Sequence, residues 1–274
     1  MFQYAFTVPE EKRVRLIIHT DCKNEADDQF AVVHQLLSPK FDVRGIIAGH
    51  FEQKQRRYPK GQTARASFEE IEKLLDLMGL TGQYPVVMGA SQSMPDMRTP
   101  VPSPGTEFII AEAMRDDPRP LYIGMQGAIT DLASAILMEP EICSRMTAIW
   151  IGGGNYPDGS EEFNLLQDVN AANAVFASQM PLWQVPQCVY KQFAVTLAEL
   201  QLKVKPYGRI GAYLFQQMAD FNLALAKNPG WPHGETWGLG DQGVIGALLQ
   251  EEHYTETWYE IPAPQVTPDR KSVV

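Results

Sequence analysis

The sequence has 274 residues, of which 45% are hydrophobic and 20% are charged, so it can form a globular protein with a large core. Its net charge of −10 disfavours nucleic acid as a partner, because phosphate binding requires a basic surface. It has no apolar run of about eighteen residues that would span a membrane, and Cys22, Cys143 and Cys188 are too few and too far apart to predict a disulfide framework. We therefore expect a cytoplasmic protein.

Short apolar runs alternate with amphipathic stretches through the first two-thirds of the chain. In chain order, the runs predict strands over residues 14–20, 41–48, 85–88, 121–125, 146–151 and 182–185, with a last strand over 256–261. Apolar residues at helical spacing predict helices over 27–37, 64–78, 107–115, 130–138, 168–178, 207–226 and 241–250. The alternation predicts an α/β fold with a largely parallel, Rossmann-like central sheet and helices on both faces. We expect one domain over residues 1–274, in which 186–240 form a helical cap.

Chemically rich residues follow five successive predicted strands. Asp21 follows the first strand and His50 the second, and the segments "GAS", "GAIT" and "GGGN" follow the third, fourth and fifth. Ligands of open parallel sheets bind beyond the carboxyl ends of the strands. The sequence therefore predicts a single site at that edge of the sheet.

An acidic turn connects the first strand to the first helix, in the stretch "TDCKNEADD". Asp27 and Asp28 at the start of a helix can be explained by its dipole, and Asn24 by capping. Neither explanation covers Asp21, which ends a buried strand beside them. Carboxylates gathered without a counter-charge repel one another, and a bound hard cation such as Ca²⁺ or Mg²⁺ removes that repulsion. Asp241 also opens an apolar helix, after a glycine-rich loop, and helix capping alone would explain it.

Read together, these segments resemble the nucleoside hydrolase family, the inosine-uridine-preferring N-ribohydrolases. The acidic turn is similar to the family's D-x-D-P-G-x-D-D motif, and "EEFNLLQDVNAANAVF" (161–176) closely resembles its E-F-N-x-x-x-D-P-E-A-A block. Weaker matches follow the family's chain order in "GIIAGH", "YPVVMGASQSMPD", "GAITDLASAI", "IWIGGGN" and "GLGDQGVIGALL". The resemblance covers roughly residues 14–250 and identifies the chain as a divergent member of the family.

The resemblance implies a fold, a cofactor and a set of roles. It implies Ca²⁺ held by Asp21, Asp28, the backbone carbonyl of Thr130, and Asp241. Asp21 would also be the general base that takes a proton from a Ca²⁺-bound water, which then cleaves the N-glycosidic bond of a ribonucleoside or related riboside. Ribose would be held by Asp27, His50, Glu162 and Asn164. Family members commonly form homodimers or homotetramers, which the resemblance carries over to this chain.

Three departures from the family pattern concern the site. The acidic turn is two residues longer than the family's, and we expect its Lys23 to pair with Glu25 at the surface unless it reaches into the site. Gly240 stands where many members have a histidine implicated in protonating the leaving base. The loop residue His233 is then either the acid that replaces it or a solvated side chain without a catalytic role. His50 replaces an asparagine. Trp237 either stacks on a base or packs in the core.

Two other functions fit the acidic residues. One is a non-catalytic, metal-dependent protein that binds ribose or another sugar, which the loss of the histidine at position 240 would explain. The other is a phosphatase-type hydrolase that uses the same carboxylates with Mg²⁺. The sequence lacks an evident phosphate-binding loop, and a strongly negative pocket would repel phosphate.

Overall fold

A computed structural model describes residues 4–250, 258, 260–267 and 272–273 of the chain. Its central sheet is formed by six strands: β1 (Val14–Thr20), β2 (Phe41–Ala48), β3 (Val86–Met88), β4 (Leu121–Gln126), β5 (Thr147–Ile151) and β6 (Leu182–Val185). The strands lie in the order β3-β2-β1-β4-β5-β6, and every neighbouring pair is parallel. The chain reverses its direction of travel across the sheet between β1 and β4, which is where open sheets of this kind bind ligands.

Ten helices accompany the strands among the described residues. They are α1 (Asp28–Leu37), α2 (Thr63–Met78), α3 (Pro104–Ala113), α4 (Thr130–Met138), α5 (Phe163–Gln167), α6 (Val169–Phe176), α7 (Gln187–Tyr190), α8 (Leu197–Lys203), α9 (Gly208–Ala224) and α10 (Gln242–Leu249). Two short 3₁₀ helices occur at Glu10–Lys12 and Pro140–Ser144.

The sheet divides the hydrophobic core into two halves, and β1 contributes to both. Leu16 and Ile18 pack with α1, α2, α9 and α10, whereas Ile17 packs on the other side with α3, α4 and α6. Successive side chains of a strand point to opposite faces, so β1 is buried on both faces and its centre, Leu16–Ile18, is apolar throughout. The predicted parallel sheet with helices on both faces is confirmed.

The structure moves or divides some predicted helices. The helix predicted to start at residue 107 begins at Pro104, because the Ser103 hydroxyl accepts a 2.9 Å hydrogen bond from the Thr106 backbone N–H and proline is favoured in a first turn. The helix predicted over 168–178 is preceded by the short helix α5. Asp168 separates the two, and its carboxylate caps α6 by accepting from the Ala171 backbone N–H.

Residues 186–240 contain more than the predicted helices. Besides α7, α8 and α9, a two-stranded antiparallel sheet pairs β7 (Ala194–Thr196) with β8 (Thr236–Gly238). Helix α9 packs against α2, on one face of the central sheet. A further small pair joins β9 (Gln265–Val266) to β10 (Ser272–Val273).

Two remaining expectations concern the chain terminus and membranes. The strand predicted over 256–261 lies largely outside the described residues, and Trp258, Glu260 and Ile261, which are described, are not in a strand. Among the described helices, none combines the length and the apolar composition that crossing a bilayer requires.

Candidate active site

The acidic turn folds at the carboxyl end of β1. The backbone carbonyl of Asp21 accepts hydrogen bonds from the N–H groups of Lys23 (2.6 Å) and Asn24 (2.8 Å), so the chain reverses tightly beyond the strand. Asp27 is the cap residue of α1 and Asp28 is its first residue. The inserted residues thus form a compact turn that leaves the three aspartates at the edge of the sheet.

Three carboxylates converge at this edge. Asp27, Asp28 and Asp241 each offer an oxygen that lies within 4.8 Å of the others, and all three side chains are buried. The Asp241 backbone N–H donates to Asp27 Oδ2 at 3.5 Å, which joins the start of α10 to the acidic turn. Asp28 Oδ1 accepts a 2.5 Å hydrogen bond from the Thr20 hydroxyl.

Asp21 faces the same cavity with an unpaired oxygen. Its side chain is 2% exposed, and its Oδ2 atom is buried without a hydrogen-bond partner among the described residues. Gly127, just after β4, permits this position, because a Cβ atom there would lie 3.0 Å from Asp21 Cγ. A buried carboxylate oxygen without a donor is costly unless a ligand satisfies it. We call Asp21, Asp27, Asp28 and Asp241 the acidic pocket.

Burial and mutual repulsion raise the pKa of every carboxyl group in the acidic pocket. Burial raises the pKa of Asp28 to about 8, with repulsion from Asp27 adding to it. Burial raises the pKa of Asp27 to about 6, against backbone N–H donors that include Gly240 and Asp241. The pKa values of Asp21 and Asp241 rise well above the usual range for the same reasons, burial first and then neighbouring aspartates.

These properties fit a hard divalent cation. The oxygens of Asp27, Asp28 and Asp241 are close enough to ligate one ion, and a divalent cation would stabilise their ionised forms. None of the ion pairs among the described residues involves the acidic pocket, and Lys23 pairs with Glu70 of α2 at 2.8 Å instead. The expected Lys23–Glu25 pair is therefore wrong. An all-oxygen donor set with several negative charges suits Ca²⁺ or Mg²⁺ and not a thiolate-binding metal.

The cavity beside the acidic pocket also contains the predicted sugar-binding residues. It encloses about 350 Å³ including its mouth, and besides the four aspartates it is lined by Asn24, Glu25, Gln126, Ile151, Glu162, Phe163, Asn164, Tyr190 and Gly240. Glu162 caps α5 by accepting from the backbone N–H groups of Asn164 and Leu165. Asn164 donates from Nδ2 to the Ile151 carbonyl at 3.0 Å. The structure therefore brings Asp21, Asp27, Asp28, Glu162, Asn164 and Asp241 together.

Four other predicted site residues do not line this cavity. Thr130 donates through its hydroxyl to Asp168 Oδ2 at 2.7 Å and lies 2.8 Å from His50 Nε2. Burial lowers the pKa of His50 to about 4, so its ring is neutral at physiological pH. Trp237 is 2% exposed and packs on the rings of Phe221 and Trp231.

His233, the fourth of these residues, is exposed in the loop before β8. Of the two roles predicted for Trp237, packing in the core is the one that the structure shows. The Thr130 carbonyl was predicted as a metal ligand. The residue that ends β4 and lines the cavity is instead Gln126, four positions earlier in the chain.

Gln126, Glu25 and Tyr190 line the cavity but were not predicted as site residues. Gln126 ends β4, at the same sheet edge as Asp21, so its position after a predicted strand carried a usable signal. Burial, with repulsion from Asp27 and Asp28, raises the pKa of Glu25 to about 8. Tyr190 ends α7, which has no distinctive motif, and only the folded chain shows that it reaches the cavity.

Several known proteins are similar to this chain. The pyrimidine-specific ribonucleoside hydrolase RihA of Escherichia coli O1:K1 / APEC is 25% identical over 275 residues, which cover 89% of this chain and 83% of RihA. RihA of Citrobacter koseri is 26% identical over 266 residues, covering 87% and 81%. The solved structure of the purine-preferring ribonucleoside hydrolase from Gardnerella vaginalis superposes with a TM-score of 0.71 at 20% identity, covering 94% of this chain and 87% of that one, so it supports the fold.

A family model gives the assignment. Residues 16–267 match the model described as inosine-uridine preferring nucleoside hydrolase, and this range includes every residue of the acidic pocket. Since the match covers most of the sequence, this chain belongs to the inosine-uridine preferring nucleoside hydrolase family.

Proposed function

We propose that this protein hydrolyses the N-glycosidic bond of a ribonucleoside or a related riboside. Membership of the family supports ribonucleoside hydrolysis in general. The observation that carries the proposal for this chain is the convergence of three aspartate oxygens within 4.8 Å, in a cavity that also contains Glu162 and Asn164. A metal ion and a sugar would thus bind side by side.

The metal in this proposal is Ca²⁺. Asp21, Asp28 and Asp241 are its proposed side-chain ligands. The family resemblance adds the Thr130 carbonyl, although Thr130 does not line the cavity in the structure. When bound, a calcium ion orients a water molecule and lowers its pKa. The burial of four aspartates without a cationic side chain supports this assignment, because a divalent ion would stabilise their ionised forms.

Asp21 is the proposed general base. Its unpaired Oδ2 atom is available to accept a proton from water at the sugar, since no donor of the described protein occupies it. Asp27 and Asn164 are the proposed ribose contacts, and Glu162 is proposed as a residue of the same sugar site. Cleavage of a glycosidic bond passes through an oxocarbenium-like state, whose positive charge the carboxylates of the pocket would stabilise.

Which nucleobase the substrate carries is a separate question. The two RihA relatives are named for pyrimidine ribonucleosides, whereas the Gardnerella structure is named for purines. Residue 240 is glycine here, so a protonating histidine at that position is absent. We propose the ribosyl group as the recognised part of the substrate and leave both base classes in the test.

Hydrolysis of purine and pyrimidine ribonucleosides, measured as release of free ribose, tests the proposal. We expect turnover by the wild-type protein, loss of turnover after treatment with a chelator, and recovery with Ca²⁺. The 2′-deoxyribonucleosides serve as matched substrates and should react about a hundredfold more slowly or worse, because buried groups that bind the 2′-hydroxyl would be left unpaired. Saturable ribose binding without turnover of any riboside would contradict the proposal and favour a sugar-binding protein.

A further inference from the structure

Glu162 is already saturated with hydrogen bonds. Its Oε2 atom accepts from the backbone N–H groups of Gly153 (2.8 Å) and Leu165 (2.9 Å). Its Oε1 atom accepts from the Asn164 backbone N–H (3.1 Å) and from the hydroxyl of Tyr190 (2.8 Å). A carboxylate has about four lone-pair sites, so all four are used. A sugar hydroxyl therefore has no free acceptor on Glu162 while Tyr190 holds this position.

The Tyr190 hydroxyl lies between Glu162 and the cavity. Tyr190 is half-buried and lines the cavity, and its hydroxyl donates to Glu162 Oε1 at 2.8 Å. Burial, followed by the charge of Glu162, raises the pKa of Tyr190, so the hydroxyl keeps its proton and remains a donor to Glu162. A hydroxyl that donates its proton keeps acceptor lone pairs, so the Tyr190 oxygen can accept a hydrogen bond from a ligand.

The ring of Tyr190 fills the space beside Gly240. A Cβ atom at position 240 would lie 3.0 Å from Tyr190 Cδ2 and 3.5 Å from Asp27 Oδ2. The first distance is closer than ordinary van der Waals contact, so a side chain at position 240 would push the ring. The lack of a side chain at Gly240 thus leaves room for the Tyr190 ring, and this room allows the tyrosine to reach Glu162.

From these contacts we infer that Tyr190 is a substrate-contacting residue that determines specificity for the ribosyl hydroxyls. Its hydroxyl oxygen accepts the sugar hydrogen bond in place of Glu162, and Glu162 orients it. Gly240 leaves the space that the Tyr190 ring occupies. This inference rests on the proposed function, because it names the sugar contact of the same site.

Tyr190→Phe tests the inference, with Tyr213→Phe as a matched control. Tyr213 also donates its hydroxyl to a buried carboxylate, that of Glu70, but it does not line the cavity. For Tyr190→Phe we expect KM for ribonucleosides to rise about tenfold with kcat within about twofold, as for the loss of one hydrogen bond made equally in the ground and transition states. Tyr213→Phe should leave KM and kcat unchanged. The dissociation constant of free ribose, measured by calorimetry, should rise by the same factor only in Tyr190→Phe.

The opposite result has a clear meaning. If Tyr190 only competes with the sugar for Glu162, Tyr190→Phe frees Oε1 and lowers KM, which overturns the inference, as does an unchanged KM. Gly240→Ala gives a second variant that keeps the hydroxyl, and we expect it to raise KM because the ring must shift. Wild-type protein without turnover contradicts the proposed function alone, and the ratio of ribose dissociation constants then decides for or against Tyr190. A wild-type protein that neither hydrolyses ribosides nor binds ribose contradicts both.

Discussion

Two groups of carboxylates lie at opposite ends of the central sheet, and their surroundings are opposite. At the carboxyl ends of the strands, the acidic pocket holds four aspartates that form no ion pair among the described residues. At the amino ends lies an amino-end cluster made of Arg15, Asp42, Arg44, Glu112, Asp117 and Arg119. In it, Glu112 Oε1 lies 3.1 Å from Arg15 Nη1 and 3.0 Å from Arg44 Nε.

The difference separates a structural site from a binding site. Burying a charge is expensive, and the amino-end cluster offsets that cost with arginines in hydrogen-bonding geometry. The side chain of Arg119 accordingly lowers the pKa of Asp117 by hydrogen bonding. The acidic pocket has no such partner and its pKa values rise. Arginines offset the cost of burying charge in the amino-end cluster, whereas no described cationic side chain offsets it in the acidic pocket. We therefore expect a cationic ligand to bind in the acidic pocket.

Asp21→Asn is expected to give the largest effect of any substitution. The amide keeps the shape of the side chain but cannot accept a proton, so turnover should fall by about 10²- to 10⁴-fold, as for loss of a general base. Because Asn removes a buried carboxyl group that is repelled by its neighbours, Tm measured without Ca²⁺ should not fall. Steady-state kinetics with a ribonucleoside and a thermal melt measure the two effects. Turnover close to the wild-type value would show that Asp21 is not the base.

Glu112→Gln applies the matched change at the other end of the sheet. The change removes the nearer and more buried of the two carboxylate partners of Arg15 and leaves only Asp117 at 3.7 Å, which costs up to about 3 kcal/mol, or up to about 10 °C in Tm. Turnover per folded molecule, assayed well below Tm, should equal that of the wild-type protein, because Glu112 lies at the opposite edge from the cavity. If turnover fell at unchanged Tm, the division between a structural and a binding end would be wrong.

The sequence predicted the frame of the molecule well because strands and turns leave local signals. The strands predicted over 14–20, 41–48 and 182–185 have the bounds found in the structure, since runs rich in apolar and β-branched residues mark strands. The aspartates of the acidic pocket were found because each stands at a strand end or a helix start. Those positions converge at one edge in any parallel sheet.

What the sequence did not reveal depends on contacts between distant segments. Tyr190 reaches Glu162 across 28 positions of chain, and nothing near it in sequence marks that contact. Lys23 was expected to pair with nearby Glu25, but α2 brings Glu70 to it from 47 positions away. Trp237 is in the core because Phe221 of α9 folds onto it, which periodicity around residue 237 cannot show. Local patterns therefore predict elements and strand-end chemistry, and tertiary packing decides which side chains share a cavity.

Asp28→Asn should change the response to Ca²⁺. At 100 times its dissociation constant, a ligand stabilises the folded state by about 2.7 kcal/mol, so Ca²⁺ should raise the Tm of the wild-type protein by several degrees. The variant should lose most of that rise. Without Ca²⁺ at pH 8, its Tm should exceed the wild-type Tm, because repulsion with Asp27 is removed. An equal Ca²⁺-induced rise in both proteins would exclude Asp28 as a ligand, and Glu112→Gln, which is far from the pocket, should keep the full rise.

The smallest expected effect is the slope of stability against pH, and it has opposite signs at the two ends. A carboxyl group whose pKa is lowered by folding, such as Asp117, stabilises the protein above its unfolded pKa, and this contribution is lost as pH falls through the folded value. The raised pKa values of Asp28 and Glu25, both about 8, mean that the folded state holds protons which the unfolded state has released. Stability of the metal-free protein should therefore fall as pH rises from about 4 to about 8.

The neutral His50, with a pKa lowered to about 4, adds the opposite slope below pH 6.5, so the test belongs between pH 6.5 and 8. In that window the Tm of the metal-free protein should decrease with pH. Ca²⁺ should flatten the curve, because the ion favours the ionised carboxylates, and Asp28→Asn should flatten it without Ca²⁺. A metal-free Tm that increases across this window would mean that the carboxylates of the acidic pocket are already ionised when folded, and that a counter-charge other than a bound cation stabilises them.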